Sequence, residues 1–457
     1  MIKKKNISRL FILFLAVHLL VWTLIPAISN PNLPLDTIEA LAWASNLEWG
    51  FNKHPPVSAL VVEVFYQIFG ARDWAYYLLS QIFVIISFLY VWKLSTEFFK
   101  EKKFSLISVL LLEGIYFYNF TTPEFNVNIC LLPFWSATVY YSWKSFKEDK
   151  FLYWVLFGVF AGIGFLSKYL FIYLLAGIGI FFIFFTVTNK KFNFKYLLPI
   201  LFFIAVISPH IIWLFKNEYI TIIYALNRTG LENPGVINHF LFPSIFILKQ
   251  IAIIIPFILM IVILLKKIKI NFMINDKKFL FLLSINILPI FLMFLTSAIT
   301  GAYIRTMWMT PFYLFSGVLF VYLFQKQINL KKIINFSYIF LFLFFLSPSI
   351  YLYVSLSKNN KRTDYPGKEI AYLVQDRWNK NFINKIDVVV GDEWSGGNLS
   401  YHLKSRPKWF NNLDNNLSKI NEEAGFIYIG NPKILKEICP GVYGTIKPMG
   451  ICMIGKK

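Results

Sequence analysis

A polytopic α-helical membrane protein with a small C-terminal α/β region is the fold class this sequence predicts, and three observations predict it. Hydrophobic residues make up 57% of the 457 and charged residues only 15%. A water-soluble surface needs roughly 25% charged residues, so most of this surface faces lipid. Apolar stretches long enough to span a bilayer, or nearly so, recur as far as residue 355. From Ser357 onward the chain turns polar, and short β-rich runs alternate with helix-like ones. Residues 1–356 therefore read as a transmembrane domain, interrupted by a more polar loop at 29–75, and 357–457 as a separate α/β domain.

The N-terminal stretch MIKKKNISRLFILFLAVHLLVWTLIPAI has the basic start and apolar core of a signal peptide. No small-x-small cleavage pattern follows it, so an uncleaved first transmembrane helix is expected. Further spans are expected at 76–92, 104–121, 125–142, 151–166, 170–187, 196–215, 244–265, 279–297, 303–325 and 333–355, which with 10–28 makes eleven. A crossing helix needs about 20 residues, and 151–166 is divided from 170–187 only by Ser167-Lys168-Tyr169. The segment 57–69, VSALVVEVFYQIF, is too short to span and carries Glu63. It is expected to lie at the interface as an amphipathic helix.

Charge fixes the expected orientation. With eleven spans, the N-terminus and loops 93–103, 143–150, 188–195, 266–278 and 326–332 share one side and hold 22 Lys or Arg. The short loops opposite hold only Lys53, Arg72, Lys168, Lys216, Arg228 and Arg305. The positive-inside rule places the first set in the cytoplasm and the second outside. The net charge of +21 thus reports topology before partners, and no nucleic-acid partner is expected. In the tail, strands are expected at Ile386–Val390, Phe426–Ile429 and near Ile451–Ile454, with helices at 366–379 and 432–438 between them. Cys130 lies in an apolar run as a small core residue, while Cys439 and Cys452 either pair as a disulfide or stay free. No C-x-x-C or H-x-x-x-H spacing suggests a metal site.

The chemistry concentrates in Leu33–Val57, LPLDTIEALAWASNLEWGFNKHPPV. Asp36 and Glu39, three apart, share a helix face. Lys53-His54 then runs into Pro55-Pro56, a stiff extended ending. Two carboxylates within reach of a basic pair suit an acceptor-activating group beside an anion-binding one. Ionisable residues near apolar segments are functional candidates by default, and four further clusters qualify. Glu124 in TTPEF either faces the cavity of Asp36 or sits at a helix N-terminus, favoured by the dipole. Lys168 in GFLSKYLF either snorkels or meets phosphate. His210, with Trp213 and Asn217 at helical spacing, is either a bonded core residue or a ligand, and Arg228 suits a phosphate or simply solvent. Arg305, between Tyr303 and Trp308, either binds phosphate or anchors an aromatic belt.

These motifs resemble the GT-C fold membrane glycosyltransferases of the family 39/83 type, the group of protein O-mannosyltransferases and lipid A aminoarabinose transferases. LPLDTIEALAW with WGFNKHPPV resembles the family's first outer loop, and TTPEF its second acidic motif, with Glu124 where Asp is usual. GFLSKYLF is similar to its Gly-Leu…Lys motif, PHIIWLFKNEYITIIYALNR to its Pro…Trp…Asn…Arg block, and GDEWSGGNLSYHLKSRPKW to its outer domain. The resemblance implies an inverting transfer of sugar from a polyprenyl-phosphate carrier to a lipid, glycan or protein acceptor outside the cytoplasm of a bacterial inner membrane. It implies Asp36 as the catalytic carboxylate, with Glu39 departing from the family's adjacent Asp-Glu pair. Lys53, His54, Glu124, Lys168, His210, Arg228 and Arg305 form the expected donor-phosphate and substrate-binding set. No cofactor is expected, and Asn52-Lys53-His54 replaces the acidic residue that helps bind a metal in some relatives. A transporter or flippase of a lipid-linked substrate is the alternative. Such proteins carry internal repeats and mid-span polar residues, whereas here the carboxylates gather in one outer loop.

Overall fold

The computed structural model describes residues 4–190, 192–230, 235–269, 273–411, 423–446 and 449–457. Among the described residues fourteen α-helices precede residue 358: α1 Lys4–Ser29, α2 Leu35–Ala44, α3 Val57–Phe69, α4 Asp73–Phe98, α5 Lys102–Leu110, α6 Val127–Glu148 and α7 Phe151–Ser167, then α8 Ile172–Asn189, α9 Leu197–Lys216, α10 Ile220–Arg228, α11 Asn238–Leu264, α12 Lys277–Thr300, α13 Ser316–Phe324 and α14 Ile333–Ser357. Among the described residues seven helices are long and apolar enough to cross a membrane: α1, α4, α8, α9, α11, α12 and α14. An eighth crossing is counted if the bent pair Thr306–Tyr313 and α13 form one span. Exposed Ile12, Ile183, Ile299 and Phe342 give these helices an apolar outer surface, as a lipid solvent requires.

Two expected spans are broken. The stretch 104–121 is α5 followed by the 3-10 turns Leu111–Gly114 and Tyr116–Tyr118. The break buries Glu113 against α1, where His18 Nδ1 lies 2.8 Å from its carboxylate. It also seats Gly114 where a Cβ would stand 2.6 Å from the backbone of Phe257. Irregular backbone is tolerated at membrane depth when protein surrounds it, and Asn119 Nδ2 donates to the Glu113 carbonyl at 2.9 Å. The stretch 303–325 is likewise a 3-10 segment containing Pro311, bent by 52° from α13. The interfacial candidate 57–69 is α3, entered from Pro55-Pro56.

The tail continues with α15 Gly367–Asn381, β1 Ile386–Val390, α16 Ser395–His402, β2 Lys408–Phe410, β3 Gly425–Gly430, α17 Pro432–Ile438, β4 Val442–Ile446 and β5 Met449–Ile454. The strands form one sheet in the order β2-β1-β3-β5-β4, with β1 parallel to β2 and β3, and β5 antiparallel to β3 and β4. A core of Ile370, Val374, Trp378, Val389, Ile427 and Ile451 lies under it. Cys439 and Cys452 form a disulfide tying the end of α17 to β5. Three expected strands and two expected helices are present, while α16, β2 and β4 were not expected.

Helix α16 packs directly on α2. Gly397 comes so close that a Cβ there would lie 3.1 Å from both Ile38 and Ala42. The tail is thereby seated on the loop that carries the candidate carboxylates.

Candidate active site

The site is built around α2. Pro34 precedes it, Asp36 sits in its first turn, and Ala40, Ala42 and Ala44 are strong helix formers. The helix dipole favours a carboxylate in this first turn, which offsets part of the cost of burying Asp36. Asp36 and Glu39 project into one cavity of about 370 Å³, together with Lys53, His54, Lys168 and Arg228. These six candidates come from four separated segments, and the fold brings them together.

Each cation arrives by a distinct local device. Lys168 follows the last residue of α7 in an extended conformation, φ −165° and ψ 133°, so the helix ends and the side chain turns inward. Its Nζ donates to Asn128 Oδ1 at 2.5 Å and lies 5.4 Å from the Trp308 ring. Asn128 is fixed because the Asn126 side chain caps α6, accepting from Asn128 N and Ile129 N. Arg228 closes α10, with Tyr224 one turn earlier on the same wall. Lys53 is held between two carboxylates, Glu39 and Glu393, the latter at 2.7 Å. Glu393 belongs to the loop after β1 and also accepts from Asn52 Nδ2 at 3.1 Å.

Burial sets the electrostatics. It raises the Asp36 carboxyl above its ordinary value, while Lys168, Lys53, Arg362 and Arg228 pull the other way. Burial, then the nearby Glu393 charge, pushes Glu39 up to about 7 against the pull of Lys53. Burial works to lower Lys53, but Glu39 and Glu393 outweigh it and the group is raised, so it stays an ammonium. Burial, with Asp36 opposing it, brings Lys168 down to about 7. Burial and the surrounding Lys168, Lys53 and Arg228 charges bring His54 down to about 3. His54 is therefore a neutral imidazole near pH 7, packed edge-on against Trp43 and Tyr224. It can exchange hydrogen bonds with hydroxyls but adds no charge for a phosphate.

The other three candidates stand behind the cavity wall. Glu124 accepts from the Asp36 backbone N–H at 3.1 Å, and burial followed by the Asp36 charge raises it to about 8. Both ring nitrogens of His210 are engaged: Nδ1 donates to the Trp49 carbonyl at 2.5 Å and Nε2 accepts from the Tyr169 hydroxyl at 2.6 Å. Tyr169 itself lines the cavity. Arg305 lies outside it, although its neighbours Met307 and Trp308 are on its wall. Among the described residues no group of three or more His, Cys, Asp or Glu is gathered to hold a metal ion.

Sequence reasoning missed Glu393 and Arg362, which approach from the tail. Nothing local to GDEW or KRTDY marks either as a partner of residues more than 300 positions away. Asn126 and Asn128 were findable, because an Asn ahead of an apolar helical run is a capping signal.

Residues 53–213 match the profile of the family described as dolichyl-phosphate-mannose-protein mannosyltransferase. The match takes in Lys53, His54, Glu124, Lys168 and His210 and begins after Asp36 and Glu39. No curated protein matches the chain by sequence. The structure is similar to that of ArnT from Cupriavidus metallidurans bound to undecaprenyl phosphate, with a TM-score of 0.60 at 12% identity over 98% of each chain. The apo state of the same ArnT superposes with a TM-score of 0.59, again at 12% identity and 98% coverage of both chains. Both superpositions span nearly the whole of each chain, and with its long apolar helices the chain is an integral membrane protein with the GT-C fold.

Proposed function

We propose that the protein is an inverting glycosyltransferase that moves a sugar from a polyprenyl-phosphate carrier to an acceptor outside the cytoplasm. The observation that carries this reading is the convergence of Asp36 with Lys53, Lys168 and Arg228 on one cavity between apolar helices. The family match and the likeness to an ArnT bound to undecaprenyl phosphate support it. The division into a transmembrane domain, 1–356, and an extracytoplasmic domain, 357–457, belongs to the same proposal. So do a cytoplasmic N-terminus, which the excess of Lys and Arg in the loops on its side supports, and an outer C-terminal domain, since a disulfide between Cys439 and Cys452 persists in an oxidising compartment.

In the reaction the bond between the anomeric carbon and the phosphate oxygen breaks, and a bond from the acceptor oxygen to that carbon forms on the opposite face. The acceptor proton passes to Asp36, whose raised pKa makes it a stronger base than a solvated carboxylate. The bond electrons leave with the carrier phosphate, which gains a charge. Lys53, Lys168 and Arg228 are positioned to stabilise that charge from groups already in place. Neutral His54, Tyr224 and Trp43 give the sugar a polar tip and aromatic faces. Glu124 holds the α2 N-terminus through the Asp36 amide, fixing the direction of the base.

The test is to incubate purified protein with a panel of polyprenyl-phosphate sugars and follow release of free carrier phosphate. Release by the wild type that vanishes in Asp36→Asn names the donor and supports the assignment. Undiminished release by the variant removes Asp36 from the mechanism.

A further inference from the structure

Among the described residues the cavity is lined by the helical body alone, and the C-terminal region meets it indirectly, through a carboxylate on the lining residue Lys53. The loop Gly391-Asp392-Glu393-Trp394 is locked from both sides. Asp392 Oδ1 accepts from Trp394 N and Ser395 N at 2.9 Å each, capping the entry to α16. Gly391 O accepts from Trp409 Nε1 at 3.0 Å. From this fixed base Glu393 takes Lys53 Nζ with one oxygen at 2.7 Å and Asn52 Nδ2 with the other at 3.1 Å. Its side chain is 16% exposed and that of Lys53 is 23% exposed, so solvent screens the pair only partly.

An ammonium carries three N–H donors. On Lys53, Glu39 takes one and Glu393 another, and the side chain lines the cavity. One donor remains for a substrate oxygen. A lysine is a point charge on a flexible four-carbon stem, and two fixed carboxylates remove that freedom before the substrate arrives. Preorganisation of this kind lowers the ordering cost of binding and of charge stabilisation.

We infer that Glu393 is a positioning residue of the donor site: the C-terminal region, through this one carboxylate, holds the Lys53 ammonium where it meets the carrier phosphate. The inference rests on the glycosyltransferase reading for the identity of the phosphate, but the positioning itself is measurable without turnover. The charged and titratable groups facing Lys53 are Glu39 and Asp36 from α2, His54 from its own loop and Glu393 from the tail.

The experiment is competitive acylation of the full-length protein in detergent with acetic anhydride across a pH series, reading the Lys53 peptide by mass spectrometry. Three variants are compared with wild type: Glu393→Gln, Glu393→Asp and Arg406→Ala. Arg406 belongs to the same interface but not to the clasp, donating to Leu41 O at 2.7 Å and stacking over Tyr66. Wild-type Lys53 acylates slowly. Glu393→Gln raises its rate at least about fivefold and moves its titration toward that of an ordinary lysine, Glu393→Asp restores part of the protection, and Arg406→Ala leaves Lys53 protected. Equal rates in wild type and Glu393→Gln overturn the inference. So does an equal rise in Glu393→Gln and Arg406→Ala, which would assign the effect to a loosened interface. Donor turnover in the same preparations separates the two readings. A protected Lys53 in a protein that turns over no polyprenyl-phosphate sugar leaves the positioning intact and removes the proposed reaction.

Discussion

The helical body and the C-terminal region solve opposite solvation problems. The body turns Ile, Leu and Phe outward and keeps polar groups such as His18, Glu113, Asn119 and Lys168 inside. The C-terminal region gathers its aliphatic and aromatic residues beneath a five-stranded sheet and leaves Lys and Asn on its surface. Their meeting surface follows neither rule. Tyr401 donates to Asp73 at 2.8 Å, Asn32 to Asn398 at 2.9 Å and Trp409 N to Ser45 Oγ at 2.8 Å, beside the Glu393 clasp. Directional polar contacts fix one relative orientation, whereas apolar contact alone tolerates sliding. The lesson is that the greasy part supplies the enclosure and the polar seam supplies the alignment.

That contrast can be broken at the body's end first. Asp36→Asn lowers kcat by about 10²- to 10⁴-fold, the range for loss of a general base, while binding of carrier phosphate followed by tryptophan fluorescence stays within about twofold. A comparable loss from a substitution confined to the sheet would erase the distinction. The next effect belongs to the tail. Replacing Cys439 and Cys452 by Ala opens the disulfide and lowers the stability of the C-terminal region by about 2–4 kcal/mol. Differential scanning calorimetry is expected to resolve an earlier transition, with the membrane-embedded transition unmoved.

Lys168 sharpens the picture of the enclosure. With its pKa near 7, its positive form is full below that pH and is lost as pH rises through it. Affinity for polyprenyl phosphate is therefore expected to fall as pH rises through 7 in titrations of wild type, with ionisation of Glu39 in the same range adding to the fall. Lys168→Met flattens that slope and weakens binding by about 1.5–3 kcal/mol, the range for a hydrogen bond to a charged group. The smallest effect is expected at Asn126. Asn126→Ala removes the cap of α6 and costs about 1 kcal/mol, read as a modest fall in melting temperature with Lys168 less firmly held.

How much of this was legible depends on how far each signal travels along the chain. Hydropathy is local, and it located the long helices because lipid acts on every residue of a span alike. It failed at 104–121, where the helix breaks into 3-10 turns around the buried Glu113, a single carboxylate that a smooth apolar average hides. The loop carrying Asp36, Glu39, Lys53 and His54 was legible because its chemistry and its stiff Pro-Pro ending lie within one short stretch. His54 was read as half of a cationic pair, since sequence shows a residue type but not the burial that keeps it neutral. Strands β1 and β3 announced themselves by Val, Ile and aromatic runs and β5 by the apolar ICMI, whereas in β4, VYGTI, a central Gly interrupts the run. Glu393 was invisible because the groups that give it meaning, Asn52 and Lys53, lie some 340 positions earlier.

The contact between His18 and Glu113 joins residues 95 positions apart in the chain. A ribosome feeding this protein into a bilayer releases the imidazole long before the acid that receives it. Before that acid arrives, Phe11 and Phe14 of α1 can already stack on Trp92 and Phe88 of α4. The ring contacts of this helix are thus available earlier in synthesis than the buried polar pair that completes its seating.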